Sequence, residues 1–148
     1  MVTEFHVVFD CHDVDRVSRF WLAALDGYNY PGSPPDQPVG SPPSGFDSWE
    51  AWADAEGIPA EQRYAGRTII DTTGRRPDIH FLAVPEDKSV KNRVHLDLRA
   101  STGATESDAA AAREAEAERL IDAGAALLRR DPGHLVLTDP EGNEFCVT

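Results

Sequence analysis

Basic residues are scarce in this chain: 14 lysines and arginines stand against 26 aspartates and glutamates, a formal net charge of −12. A nucleic-acid backbone needs a basic partner surface, so nucleic acid is not an expected partner. Anionic membranes are disfavoured for the same reason. No apolar run is long enough to cross a bilayer. The opening Met1-Val2-Thr3-Glu4 has neither a basic region nor a secretory apolar segment, so the expected location is cytoplasmic. Cysteine is almost missing: Cys11 and Cys146 form no CxxC motif and no disulfide framework, and read as buried thiols. There is also no nucleophile elbow, no phosphate loop and no dinucleotide fingerprint.

What is present is a chain of 148 residues with ample aliphatic and aromatic content. That suffices for one domain with a real core, or for two small halves that share one. Residues 4–10 alternate as a strand, with Phe5, Val7 and Phe9 on one side and His6, Val8 and Asp10 on the other. Asp13 is placed to cap a helix whose Val14, Val17, Phe20, Trp21, Ala24 and Leu25 share a face, and Gly27 closes it. Residues 31–45 hold 6 of the 11 prolines and form an irregular loop. A short helix is expected over 47–56, carrying Trp49 and Trp52, with another turn from Pro59 towards Tyr64. Two strands follow at 67–72 and 78–84, and a polar linker at 85–92.

The second half repeats the plan. Residues 93–99 alternate, with Val94, Leu96 and Leu98 opposite His95, Asp97 and Arg99. A helix is expected over 105–123, opened by Thr105 and Asp108, with Ala109, Ala112, Ala117, Leu120 and Ile121 as its apolar stripe. Strands at 125–130, 134–138 and 143–148 complete it. Each half thus reads strand, helix, strands, as a duplicated unit would.

Parity assigns the faces. The helix side takes Phe5, Val7 and Phe9, then Val94, Leu96 and Leu98, then Phe145 and Val147. His6, His95, Asp97, Arg99, Glu144 and Cys146 are left on the other side, facing a cleft. Nitrogen and oxygen donors from separate strands suit a divalent ion such as Zn²⁺, Fe²⁺ or Mn²⁺. The plainer reading is also open: strand histidines are commonly structural, Asp97 and Arg99 can pair with each other, and Glu144 can simply be solvated.

These residues resemble a known family. His6-Val-Val-Phe-Asp-Cys-His-Asp13, followed by Phe20-Trp21 and Leu25-Asp26-Gly27, resembles the opening of the vicinal oxygen chelate superfamily. Asp139-Pro140-Glu141-Gly142-Asn143-Glu144-Phe145 resembles its closing motif. Val84-Pro85-Glu86 and Lys91-Asn92-Arg93-Val94-His95-Leu96-Asp97 are similar to its glyoxalase-like branch. The resemblance implies an α+β fold of paired βαβββ modules, about 1–84 and 93–148, cupped around one cleft. It implies metal ligands at His6 and His95, and a closing glutamate four residues after the motif glycine. Cys146 holds that place, with Glu144 two residues earlier. Residues 78–84 offer His80 or Phe81 where a further ligand is expected.

Two functions follow from the resemblance. One is a lyase, isomerase or dioxygenase using a divalent metal (Zn, Fe, Mn or Ni) held by His6, His95 and Glu144, with Glu144 as proton shuttle. The other is a metal-free protein of the bleomycin-resistance type that sequesters a drug or metabolite. In either, a small molecule is the expected partner, in a pocket drawn from His80, Phe81, Asp97, Arg99, Trp49, Trp52 and Cys146. A homodimer is a further expectation.

Overall fold

A computed structural model describes residues 3–103 and 105–148. The chain divides between Glu86 and Asp87 into two compact units. The first contains β1 (Val7–Cys11), α1 (Val14–Ala24), β2 (Tyr28–Asn29), α2 (Trp49–Ala55), one 3-10 turn (Ala60–Gln62), β3 (Gly66–Asp71) and β4 (Ile79–Ala83). Its sheet runs β1-β4-β3-β2, with β1 parallel to β4 and the other pairs antiparallel.

Local chemistry sets the ends of α1. The Asp13 carboxylate accepts the Arg16 N–H at 2.9 Å, which satisfies one orphan donor of the first turn. Gly27 reverses the chain at φ 78°, where a Cβ would also lie 2.8 Å from the Arg76 guanidinium. The buried face of α1 sets Val17, Phe20 and Trp21 against the sheet, where Ile69 and Phe81 are sealed from solvent. Register places Val7 beside Ile79 and Phe9 beside Phe81, so these alternate positions form the helix-covered face. The opposite face carries Val8, Thr68, His80 and Leu82.

The first strand begins at Val7 rather than at residue 4. Its ladder opens at the Val7–Ile79 pair, so nothing fixes the pleat before it, and Phe5 is 73 % exposed instead of lying under the helix.

Within the insertion over about 31–66, which joins β2 to β3, Ser48 caps α2 by accepting the Ala51 N–H at 3.1 Å. The proline-rich loop is tied down by a buried amide: Asn29 Oδ1 accepts from the Gly40 and Tyr30 N–H groups, each at 2.9 Å. Trp49 Nε1 donates to the Gly40 carbonyl at 2.9 Å.

The second unit contains β5 (Asp97–Leu98), α3 (Glu106–Asp122), β6 (Ala126–Asp131), β7 (His134–Thr138) and β8 (Glu144–Val147). Its order, β5-β8-β7-β6, repeats the first sheet strand for strand, again with the outer first strand parallel to the last. Each unit is therefore a βαβββ module, and the fold is the mixed α+β one that the resemblance implies. Thr105 and Asp108 form the start of α3: Thr105 accepts the Asp108 N–H at 3.3 Å and donates to its carboxylate at 2.6 Å. Ala109, Ala117 and Leu120 are buried, whereas Ile121 is 40 % exposed, so the apolar stripe is narrower than its sequence suggests.

The strand expected over 93–99 shrinks to Asp97–Leu98, and Val94 is 82 % exposed rather than helix-covered. Ladder pairing with β8 begins only at Asp97, although Leu96 still accepts the Cys146 N–H at 2.9 Å. The closing turn is organised by Asp139, whose carboxylate accepts from the Glu141 N–H at 2.9 Å, the Asn143 N–H at 3.0 Å and the Asn143 amide at 2.9 Å. Gly142 completes that turn at φ 88°. No helix among the described residues is long and apolar enough to cross a membrane.

Candidate functional site

In the second unit Asp97 and Cys146 are register partners across the parallel β5–β8 pair. His95, two residues before Asp97, brings Nε2 to 3.3 Å from Asp97 Oδ1. One ligand atom from each of His95, Asp97 and Cys146 lies within 4.8 Å of the others. The two donors from the β5 side are exposed, while Cys146 is buried. Asp97 therefore pairs with His95, not with Arg99, which is exposed just beyond β5.

Burial pushes the Cys146 thiol up, and the Asp97 charge and its hydrogen bond to the thiol push in the same direction. Arg129 and Lys91 pull it down more weakly. The raised pKa favours the neutral thiol, and a bound cation would favour the thiolate instead. One nitrogen, one oxygen and one sulfur fit a borderline-soft ion such as Zn²⁺ better than Mn²⁺. Tetrahedral Zn²⁺ asks for donors roughly 3.5 Å apart, within reach of modest rotations of the exposed His95 and Asp97 side chains.

Glu144 lies on the same strand face as Cys146, two residues earlier, but has its own partners. Its carboxylate accepts the Asn92 N–H at 2.9 Å and lies 3.0 Å from Lys88 Nζ. Burial would raise its pKa, yet the Asn92 bond and the Lys88 ammonium together hold it below the usual glutamate range. It is an ionised anchor for the segment between the units' boundary and β5.

The remaining sequence-derived candidates lie in the first unit. His6 is exposed ahead of β1, beside a recess lined by Glu4, Phe5 and Arg76. His80 is half-buried on the sheet face away from α1, with Nδ1 2.9 Å from Thr68 Oγ1. Gly66 leaves room for that ring, since a Cβ there would come within 3.0 Å of it. Phe81 is not a pocket residue: it is fully buried beneath α1 and stacked on Phe9, with centroids 5.6 Å apart. Its parity is opposite to that of His80, which places it in the core.

Trp49 and Trp52 do line a cavity, of about 260 Å³, with Tyr30, Tyr64 and Arg67. It lies wholly within the first unit, between the insertion and the first half of β3. Reading the sequence did not single out Arg67, Lys88 or Asn92. Arg67 is visible as a lone cation within an apolar strand; the other two carry no comparable signal.

The match to the glyoxalase-like domain family spans residues 6–148, and the chain belongs to that family. No curated protein matches it. Among solved structures it is similar to the fosfomycin resistance protein FosX from Mesorhizobium loti, at 14 % identity and a TM-score of 0.59, covering 99 % of this chain and 91 % of that one. A glyoxalase/bleomycin resistance/dioxygenase family enzyme from Burkholderia phytofirmans PsJN is 18 % identical, with a TM-score of 0.55 over 96 % of this chain and 94 % of the other. A variant of FosX from Listeria monocytogenes, in complex with Mn(II) and a dihydroxypropylphosphonic acid, is 10 % identical, with a TM-score of 0.51 over 99 % and 90 % of the two chains. At these identities the likeness is one of fold.

Proposed function

We propose that this chain is a metal-dependent lyase or isomerase acting on a small oxygenated substrate, with His95, Asp97 and Cys146 as metal ligands in its second unit. The observation that carries the reading is the convergence of three different donor atoms within 4.8 Å on one sheet face. When bound, a zinc-type ion supplies Lewis-acid polarisation of a substrate oxygen. A donor set that includes sulfur favours this redox-inert ion and so ranks lyase or isomerase chemistry above dioxygenase chemistry. Asp97, 3.3 Å from His95 Nε2 and the register partner of Cys146, holds the carboxylate between the other two donors. Glu144 serves by fixing Lys88 and Asn92 beside the site rather than by shuttling protons.

The test is metal content by inductively coupled plasma mass spectrometry, on untagged protein purified without chelator. Near-stoichiometric zinc, lost in His95→Ala and Cys146→Ser and retained in Arg99→Ala, is the expected result. Protein that stays empty after incubation with Zn²⁺, Fe²⁺, Mn²⁺ and Ni²⁺ overturns the metal reading. The second reading, a metal-free protein that sequesters an organic ligand, then takes its place. The aromatic cavity of the first unit favours that second reading.

A further inference from the structure

We propose that the cavity of the first unit, formed by Tyr30, Trp49, Trp52, Tyr64 and Arg67, binds a planar aromatic carboxylate, with Arg67 receiving the carboxylate group. This goes beyond the metal site in location and in ligand.

The walls are rings held in place before any ligand arrives. Tyr30 meets Trp49 edge to face at 5.4 Å and 83°, and Trp49 meets Trp52 at 5.5 Å and 83°. The Trp49 indole is fixed by the Gly40 carbonyl at 2.9 Å, and the Tyr30 hydroxyl by Ser18 Oγ at 2.8 Å. Trp49 and Tyr30, fixed in this way, give preorganised apolar surface, with Trp52 packed against Trp49. At about 260 Å³ the cavity matches one ring system, single or fused, rather than a large ligand.

Arg67 supplies the polar end. Its side chain is only 14 % exposed, and its guanidinium lies 4.9 Å from the Tyr30 ring centroid and 5.8 Å from that of Tyr64. Nη1 is engaged by Asp15 and lies 3.5 Å from the Tyr30 hydroxyl. A guanidinium has five N–H groups, and those on Nε and Nη2 have no acceptor among the described residues. No fully buried side-chain nitrogen or oxygen lacks a partner among the described residues, so these nitrogens keep some accessible surface. Arg67 is one of the residues that line the cavity, and a carboxylate bound there would be within the reach of its side chain.

The charges agree. Asp15 also binds Arg19 at 2.8 Å, so one carboxylate serves two guanidinium groups and the trio keeps a net positive charge. Arg63 is neutralised by Asp54. Glu50, the one acidic residue in the lining, is exposed and accepts the Tyr64 hydroxyl at 2.8 Å, which puts its charge at the rim. An aromatic cage built for a cation would carry its acid inside and no guanidinium. Here the inner charge is Arg67, and a carboxylate completes it by charge-assisted hydrogen bonds.

The test is calorimetric titration of the full chain after chelator treatment, so that no metal can bind the probe. The probes are indole-3-carboxylate and its neutral isostere indole-3-carboxamide. Charge-assisted bonds of ordinary strength give the carboxylate an advantage of about tenfold or more. Arg67→Met should abolish that advantage, and Trp52→Ala should weaken both probes. Failure of the carboxylate to saturate, equal affinities in the unsubstituted chain, or a carboxylate preference that survives Arg67→Met overturns the proposal. The comparison of the two probes on the unsubstituted chain stands even if a variant does not fold.

Discussion

Asp97 and Cys146 are register partners across a parallel strand pair, with a carboxylate oxygen and the sulfur within 4.8 Å of each other. The same carboxylate meets His95 Nε2 at 3.3 Å, so it lies between the sulfur and the imidazole. Replacing it by an amide, Asp97→Asn, keeps the shape but removes the charge. Zinc affinity measured by competition with a chromophoric chelator should fall about tenfold or more. Unchanged affinity would show that Asp97 neither ligates nor orients.

The same arrangement can be read by thiol chemistry. Bound zinc should slow alkylation of Cys146 by iodoacetamide, with mass spectrometry locating the label. Cys11, only 2 % exposed in the first unit, serves as the internal slow reference. Equal labelling of Cys146 with and without zinc would remove the sulfur from the ligand set.

Asp71 gives a pH prediction. Its side chain is enclosed and bound by the Arg76 guanidinium at 2.7 Å, the Thr73 hydroxyl at 2.6 Å and two backbone N–H groups at 2.8 and 2.9 Å. The Arg76 bond, the Thr73 bond and the backbone donors outweigh desolvation and hold its pKa far below the usual carboxylate range. A pKa depressed on folding stabilises the fold above the unfolded value, about 3.9, and that stabilisation is lost as pH falls below it. Asp71→Asn should therefore melt several degrees lower at pH 7, with the gap narrowing below about pH 4. A gap of the same size at pH 3 would contradict the assignment.

Phe81 tests the core against the pocket. As a sealed core ring, its truncation in Phe81→Ala should cost about 3–5 kcal/mol by chemical denaturation. A loss of under about 1 kcal/mol would return it to the pocket.

Asn29 tests how the insertion is held. Asn29→Ala leaves the Gly40 N–H without its acceptor and frees the loop that fixes Trp49. A destabilisation of about 1–2 kcal/mol is expected, with a shift in tryptophan fluorescence reporting the loosened indole. An unchanged spectrum would mean that the Trp49–Gly40 bond holds without Asn29.

Much of this molecule is legible in its residues, for definite reasons. Period-two alternation in the last strand separates Phe145 and Val147 from Glu144 and Cys146, as the structure does. Asp13 and Gly27 bracket α1 because caps are local chemistry. Short strands limit what pattern can show: β2, with two residues, has no period, and β5 keeps only Asp97–Leu98 of the alternation over 93–99. Phe5 and Val94 alternate correctly but lie before their ladders begin, and parity without pairing fixes no face. Arg67 and Glu144 find partners 52 residues away, at Asp15 and Asn92, and no local pattern encodes such a contact.

The brevity of β2 has an effect on how these molecules treat one another. It pairs only with Ile70 and Asp71, so the earlier part of β3 has no strand along its outer side among the described residues. A bare edge of that kind invites strand addition from another copy, the first step of aggregation. Trp49, Trp52 and Tyr64 crowd the approach to Gly66, Arg67 and Thr68, as walls of a shared cavity. The insertion thereby sets bulky rings beside the stretch of β3 that β2 leaves unpaired.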